Sequence, residues 1–553
     1  MSVVRFVSTN WFWPVAIAAG TWLAIVVALD PSGDHPRLFD GPGLTVDEAF
    51  NVEQGVRLAD RLLDFDLAGF RKVDAEFPDH PPLGRMCIGL AHELAYLAFP
   101  PVDRHVAFSV TCARTAPAMA FAVLVALVGI YAGRWYGRFA GGMAALALVF
   151  MPRQFGHAHL AALETMVDLT CTATVLFLAE KWGKIGHESL PGDEGSRLWR
   201  SFGSSLPVFG TAALGGVIFG LALLTKVQAI LLPLPVAAWA LFHMRRRALA
   251  LLAVWGLVGL AVFFAFWPYL WNAPIDHLRQ YLGRTTNRAV LYVWYIGEAI
   301  RDRDVPWHYP WVIFLTTVPL GLHVLGICGL WGPGGRAWKS PGSLLIIACT
   351  IFPLFVFSVP GVAVYDGERL FSLVFPLWAI LIARGAEQVR GTLVRLWSPK
   401  LASIAVGLFL ACQSYGLLAL RPCWLSYYNL AVGGLAGATK LGLEISYWGD
   451  GVTRSLLSEV AESVPDRAKI SVAPVLYDGQ WDEIRLQSPI LREREVQFVP
   501  LVDDGAKEPK YLLIFVRPEY LPAELRRPLE DRQILASVRR EGVILAVLLD
   551  RSR

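Results

Sequence analysis

The sequence lacks most of what marks a soluble enzyme, a metalloprotein or a nucleic-acid binder. Its seven cysteines stand singly, most of them inside apolar runs (Cys112, Cys171, Cys328, Cys349, Cys412), and no C-x-x-C spacing occurs. That excludes the usual zinc and disulfide frameworks and leaves thiols that behave as small buried hydrophobes. Charge is scarce: 17% of the 553 residues are charged, the net charge is +4, and no basic tract stands out. Nucleic acid is therefore not an expected partner. There is no internal repeat and no low-complexity tract. No small-residue cleavage site follows the first apolar run, which has only Arg5 ahead of it. That run is expected to stay as a helix and not to be removed as a signal peptide.

Apolar residues fill the space left by charge. Hydrophobic residues make up 55% of the chain, and the mean hydropathy is +0.47. A soluble protein of this length would have too little polar surface, so an integral membrane protein is implied. Twenty Trp and sixteen Tyr suit a chain that anchors rings at two membrane interfaces. Eleven segments approach the length needed to cross about 30 Å of hydrocarbon. They lie near 11–29, 107–132, 139–155, 164–180, 207–225, 227–243, 248–267, 310–331, 343–359, 370–384 and 401–419.

Lys and Arg collect on alternate connections: Arg134 and Arg138; Lys181, Lys184, Arg197 and Arg200; Arg245 to Arg247; Arg336 and Lys339; Arg390, Arg395 and Lys400. The positive-inside tendency makes that side cytoplasmic, with the N-terminus inside and the C-terminus outside. The expected fold is thus an α-helical polytopic protein of the plasma (inner) membrane with about eleven transmembrane helices over 1–420. Long loops at 30–106 and 268–309 face outward, and a small α/β domain at 421–553 lies outside the membrane. In that domain "AKISVAPV", "KYLLIFV" and "GVILAVLLD" are strand-like, while 451–463 and 522–541 look helical.

The informative polar residues gather at the outer ends of the spans. In "LTVDEAFNVEQG" the apolar residues Val46, Phe50, Val56, Ala59 and Leu63 recur at helical spacing, which predicts an amphipathic helix lying on the membrane. Thr45 and Glu48 form a capping-box pattern at its start. Glu48 then has a structural explanation, and Asp47 has none beyond the preference for acids in a first turn. The helix end favours its charged form, so Asp47 suits a base. "DHPPLGR" starts a second surface helix, with His80 and Arg85 flanking its first turn.

"MPRQFGHAHLAALETMVDL" brings Arg153, His157 and His159 near Glu164 and Asp168, two acids four residues apart on one helix face. The H-x-H pattern lacks the spacing of helical zinc motifs, so no metal is expected. Lys226 either snorkels its ammonium to the interface or binds a phosphate. "VPWHYPWVIF" places Tyr309 in an aromatic belt. "VYDGERLF" sets Asp366, Glu368 and Arg369 in a short outer turn, where an Arg is costly unless it is paired or bound to an anion.

Taken in order, these features resemble the GT-C type glycosyltransferases that use polyprenyl-phosphate sugars. The closer likeness is to the dolichyl-phosphate-mannose protein mannosyltransferase and aminoarabinose transferase group. The residues that carry it are the acidic pair with "HPPLGR", then "PRQFGHAHLAALE", "LLTKVQAILLP", "FWPYLW", "WHYPWVIFLTTVPL", "YDGERLFSLVFPLWAIL" and "LSYYNLAVGGLAGATKLGLEISYWGDG". The likeness covers roughly 1–450, and the large sugar-binding insert of the eukaryotic protein mannosyltransferases is missing. It implies that Asp47, with Glu48 beside it, deprotonates the acceptor, and that a second acid follows the third span. Glu164 stands where Asp is usual, with Asp168 one turn on, so the choice between them stays open.

The chemistry so implied needs a base for an acceptor hydroxyl and positive charge at the departing phosphate. His80, Arg85, Arg153, His157, His159, Lys226 and Arg369 are the candidates for the phosphate, with Tyr309, Asp366 and Glu368 near the substrate. The partners implied are a polyprenyl-phosphate-linked sugar, a protein, lipid or glycan acceptor and membrane lipids, with no cofactor or metal. The competing classes are a multi-pass transporter or flippase, and an assembly protein whose outer domain binds a partner. The lack of repeats and of paired broken spans weighs against transport.

Overall fold

The computed structural model describes residues 11–103, 108–185, 198–286, 289–332, 335–501, 509–526 and 533–552. Arg5 and Arg197, which bear on orientation, lie outside them. The described chain is mostly helical with one small mixed sheet near its end. The helical part begins with α1 (Phe12–Val26), α2 (Val46–Leu63), α3 (Leu67–Glu76), α4 (Pro82–Ala98), α5 (Thr115–Tyr136), α6 (Arg138–Val149) and α7 (Pro152–His157). It continues with α8 (Glu164–Trp182), α9 (Leu198–Thr225), α10 (Pro233–Met244), α11 (Arg247–Ala265) and α12 (Pro274–Thr286). A hairpin of β1 (Tyr292–Tyr295) and β2 (Glu298–Arg301) follows. Then come α13 (Tyr309–Thr317), α14 (Leu320–Trp331), α15 (Pro341–Val356), α16 (Val374–Leu393) and α17 (Pro399–Ala411).

Among the described residues, five helices are long and apolar enough to cross a membrane: Val110–Tyr136, Val208–Thr225, Val227–Met244, Arg247–Ala265 and Pro399–Ala419. Three shorter apolar helices, α1, α6 and α15, fall below that length. Length and composition therefore support a multi-pass membrane protein; five of the described helices are long enough, so the expected count of eleven is not confirmed. The expected span 310–331 is bent by 108° between α13 and α14; counted as one, the pair would be a sixth. Val318 takes an extended conformation because Pro319 follows it, and the proline has no N–H to continue the ladder.

The first long loop, 30–106, departs from the expected surface helix. α2 buries Ala49, Val52, Val56, Leu58 and Ala59, and also the polar Asn51 and Gln54. The helix packs against protein: a Cβ on Gly89 of α4 would collide with the Gly55 carbonyl of α2, so two glycines permit the crossing. Phe50 also meets Tyr477 edge-on, with ring centroids 5.8 Å apart. α4 starts at Pro82, where the missing N–H costs nothing.

After α18 (Arg454–Ser463) come β3 (Lys469–Ala473), β4 (Gln497–Pro500), β5 (Tyr511–Phe515), β6 (Gln533–Arg540) and β7 (Val543–Asp550). The sheet order is β4-β3-β5-β7-β6, with β4, β3 and β5 parallel and β6 and β7 antiparallel. The three strand-like runs are β3, β5 and β7. The helix expected over 522–541 is absent among its described residues: Gln533–Arg540 is β6, paired with β7 across Glu541 and Gly542, both at positive φ. The two-residue turn and the long apolar partner β7 outweigh local helix preference.

Candidate functional site

The site begins at the N-terminus of α2. Thr45 is extended (φ −94°, ψ 160°), and its N–H and hydroxyl each donate to Glu48 Oε2 at 3.0 Å. Arg114 donates from Nε to Glu48 Oε1 at 2.7 Å and from Nη2 to Oε2 at 2.8 Å. The Ala161 N–H adds 2.7 Å to Oε1. Both oxygens of this fully buried carboxylate are occupied, so Glu48 ties α2 to Arg114 and to the turn before α8. Its neighbour Asp47 turns the other way and accepts from Arg369 Nη2.

Arg369 is the hub. Its Nε donates to Glu164 Oε1 at 2.6 Å, its Nη1 to Asp366 Oδ2 at 3.0 Å, and its guanidinium lies 4.4 Å from the Trp448 ring centroid. Lys226 donates to the same Glu164 oxygen, while Glu164 Oε2 is buried without a hydrogen-bond partner. Residues 47, 164, 226, 366 and 369 thus meet in one charged cluster. The Asp47 side chain is 14% exposed and Arg369 10%, against 1% for Glu164 and 4% for Lys226. Asp47 and Arg369 are the least buried of the four.

Asp168 lies one turn deeper and accepts from Ser372 Oγ at 2.6 Å. Of the two acids left open by the sequence, the fold brings Glu164 to the Asp47–Arg369 pair.

The turn that carries Arg369 depends on backbone that only some residues tolerate. Asp366 and Gly367 have φ of +55° and +61°, and the Gly367 N–H donates to the Tyr309 hydroxyl at 3.1 Å. A Cβ at Gly367 would sit 2.8 Å from Arg153 Nη1. Gly367→Ala is expected to cost about 1–3 kcal/mol, from strain at positive φ, and to lower activity by displacing Arg369. A thermal midpoint and a transfer rate measured side by side would check both; unchanged values would show that the turn is not constrained.

A second buried pair backs the first. Arg153 Nη1 donates to Glu368 Oε2 at 2.6 Å and its Nε to the Tyr427 carbonyl at 3.0 Å; its guanidinium lies 4.6 Å from the Tyr428 ring centroid. His157 Nε2 is 3.4 Å from Glu368 Oε1, and the Tyr447 hydroxyl is 3.5 Å from both. The C-terminal part of the chain also reaches in: Arg517 Nη2 donates to Asp366 Oδ1 at 2.8 Å and its Nε to Glu519 Oε1 at 2.5 Å. Trp448 Nε1 donates to Asp366 Oδ2 at 3.2 Å.

Other expected residues are held elsewhere. Arg85 is buried and spent on Asp79 (2.7 and 2.9 Å) and on Asn51 Oδ1 (2.9 Å). Burial, reinforced by Arg85, Lys226 and Arg369, pushes His80 down to about 3 against the pull of Asp79. It is neutral at neutral pH and can donate or accept but not supply charge. His159 is buried against Trp424, with ring centroids 4.3 Å apart, and its Nδ1 pairs with the Phe155 carbonyl. It too is pushed down by burial to about 3.

Sequence reading missed Arg114, Tyr447, Trp448 and Arg517. A signal for Arg114 was present: an arginine inside the apolar run "SVTCARTAPAMA" needs a partner. Arg517 and Trp448 carry no local signal, because their partner lies far back in the chain. Among the described residues no group of three His, Cys, Asp or Glu is placed to hold a metal ion.

No protein-family model matches the chain, and no curated protein matches its sequence. Solved structures similar to it include ArnT from Cupriavidus metallidurans in the apo state, at 14% identity and TM-score 0.48, covering 99% of this chain and 98% of that one. The same protein bound to undecaprenyl phosphate gives 15% identity and 0.48, covering 97% of each. The archaeal oligosaccharyltransferase AglB from Archaeoglobus fulgidus, in complex with an inhibitory peptide and a dolichol-phosphate, gives 11% and 0.47 over 91% of this chain and 69% of that one. At such identities and scores the functional reading rests on the residues themselves.

Proposed function

We propose that this chain is a membrane glycosyltransferase that moves a sugar, a hexose or a pentose, from a polyprenyl-phosphate donor to an acceptor hydroxyl on a protein, lipid or glycan. The observation that carries the reading is the pairing of the least buried acid of the cluster, Asp47, with Arg369 over a buried reserve of Glu164 and Lys226. A displacement at the anomeric carbon needs that combination of base and anion partner. The acceptor O–H gives its proton to Asp47 as its oxygen bonds to the anomeric carbon. The bond from that carbon to the phosphate oxygen breaks, and the phosphate leaves with the electron pair, so configuration inverts. Arg369 and Lys226, which share Glu164, can turn part of their donors toward the phosphate without leaving Glu164 unpaired. In a site closed to water such charge-assisted bonds are strong. The proposed site of reaction is the outer face of the plasma membrane, with the N-terminus cytoplasmic and the C-terminal domain outside, on the strength of the Lys and Arg distribution.

The test is reconstitution of the full chain in vesicles with radiolabelled polyprenyl-phosphate sugars and a panel of acceptors. The expected result is release of polyprenyl phosphate in proportion to labelled acceptor, without net solute accumulation in the lumen. Substrate accumulating unmodified inside the vesicles would replace this reading with transport.

A further inference from the structure

A cleft of about 470 Å³ lies at the opposite end of α8 from the Asp47 cluster. Its walls come from three helix ends: Arg134, Trp135 and Tyr136 of α5, Glu180 in the last turn of α8 with Lys184 just beyond it, and Ser340, which caps α15, with Ser343 in its first turn. Glu164 and Glu180 lie on the same helix, and at 1.5 Å per residue the separation is about 24 Å. The apolar span Val110–Tyr136 joins the two places: Arg114 near its start donates to Glu48, and Arg134 to Tyr136 at its end line the cleft. The cleft therefore belongs to the other boundary of the apolar layer.

Its chemistry is one-sided. Glu180 is the acid of the lining, and both of its oxygens are in use: Lys184 Nζ donates to Oε1 at 2.6 Å and Trp135 Nε1 donates to Oε2. Arg134 makes no ion pair among the described residues and lies 5.4 Å from the Tyr131 ring centroid. One positive charge is left over, and Lys184 keeps donors beyond the one given to Glu180. The Tyr136 hydroxyl meets Ser343 Oγ at 3.1 Å, so hydroxyl groups complete a polar floor. Trp135 and Tyr136 line it, amphipathic rings of the kind that sit at headgroup depth.

We propose that this cleft binds the phosphodiester headgroup of an anionic phospholipid, with Arg134 and Lys184 on the phosphate. Basic pockets between helix ends recognise lipid headgroups in this way, and arginine matches phosphate oxygens in a fork. An amine-bearing headgroup fits less well, because Glu180 has no oxygen left for an ammonium.

The test uses the full chain in detergent, with phosphatidylglycerol, phosphatidylcholine of the same acyl chains, or inorganic phosphate added. Retained adducts are counted by native mass spectrometry and the thermal midpoint is read in parallel. Phosphatidylglycerol is expected to stay bound and raise the midpoint, and the double change Arg134→Gln with Lys184→Gln is expected to lower its retention about tenfold, the loss of roughly 1.4 kcal/mol. Ser340→Asp keeps a residue favoured before a helix start and adds a carboxylate to the lining; it should expel the lipid while leaving the lipid-free midpoint in place. Equal retention of phosphatidylcholine, equal retention of phosphatidylglycerol by both variants, or the same protection from inorganic phosphate would each overturn the proposal.

Discussion

Asp47→Asn is expected to lower kcat by about 10²–10⁴-fold, the usual contribution of a general base, with little change in the affinity for donor. Asparagine keeps the size of the side chain and an oxygen that can accept from Arg369, so the cluster should keep its shape. What it loses is the ability to take a proton. Stability should fall less than in Glu48→Ala, because Arg369 keeps Glu164 and Asp366 as charged partners. Burial raises the Asp47 carboxyl above its ordinary value, against the pull of Arg369 and with a push from Glu164. The base works only when ionised, so activity falls as pH drops through that raised value. The acid limb of kcat/KM should thus lie above about 4, the ordinary carboxylate value, and should vanish in Asp47→Asn. Full transfer activity in the variant would sink the assignment.

Glu48→Ala is expected to act on the fold and not on the proton transfer. It removes the acceptor for two Arg114 nitrogens in a site where neither side chain is exposed. Arg114 cannot swing out to water, because its remaining donors hold the Leu29, Pro42 and Gly43 carbonyls. An unpaired buried charge of this kind costs about 3–5 kcal/mol. The thermal midpoint in detergent should fall accordingly, or folded yield should collapse. A double change to apolar residues of similar volume, Glu48→Met with Arg114→Met, should recover much of the loss. If Glu48→Ala keeps the wild-type midpoint, the buried pair is not what anchors α2. The two expected results together would separate the adjacent acids by experiment: one variant inactive but stable, its neighbour unstable.

Local features of the site were legible without the structure. The capping box at Thr45 and Glu48 is a pattern over four residues, and so is the helix start at Pro82. The run "VYDGERLF" announced an arginine that needs a partner and offered Asp366, which Arg369 does engage, but not Asp47 or Glu164. Glu164 and Asp168 share a helix face, so their spacing could not say which of them meets Asp47; the position of Ser372 and Arg369 on another element decided it. The bend in 310–331 was readable from Pro319, yet hydropathy averaged over the segment hid it.

What the sequence determined by itself is the solvent this chain is built for, the acidic pair after the first apolar run and the order of the polar motifs, since these depend on composition and on neighbours a few residues apart. The tertiary structure alone decided that Asp47, Glu164, Lys226, Asp366 and Arg369 share one cluster and that Arg517 and Trp448 close it from the far end of the chain. Burying those charges is tolerable only with several partners at once. Contacts between residues hundreds of positions apart leave no periodicity for sequence to show.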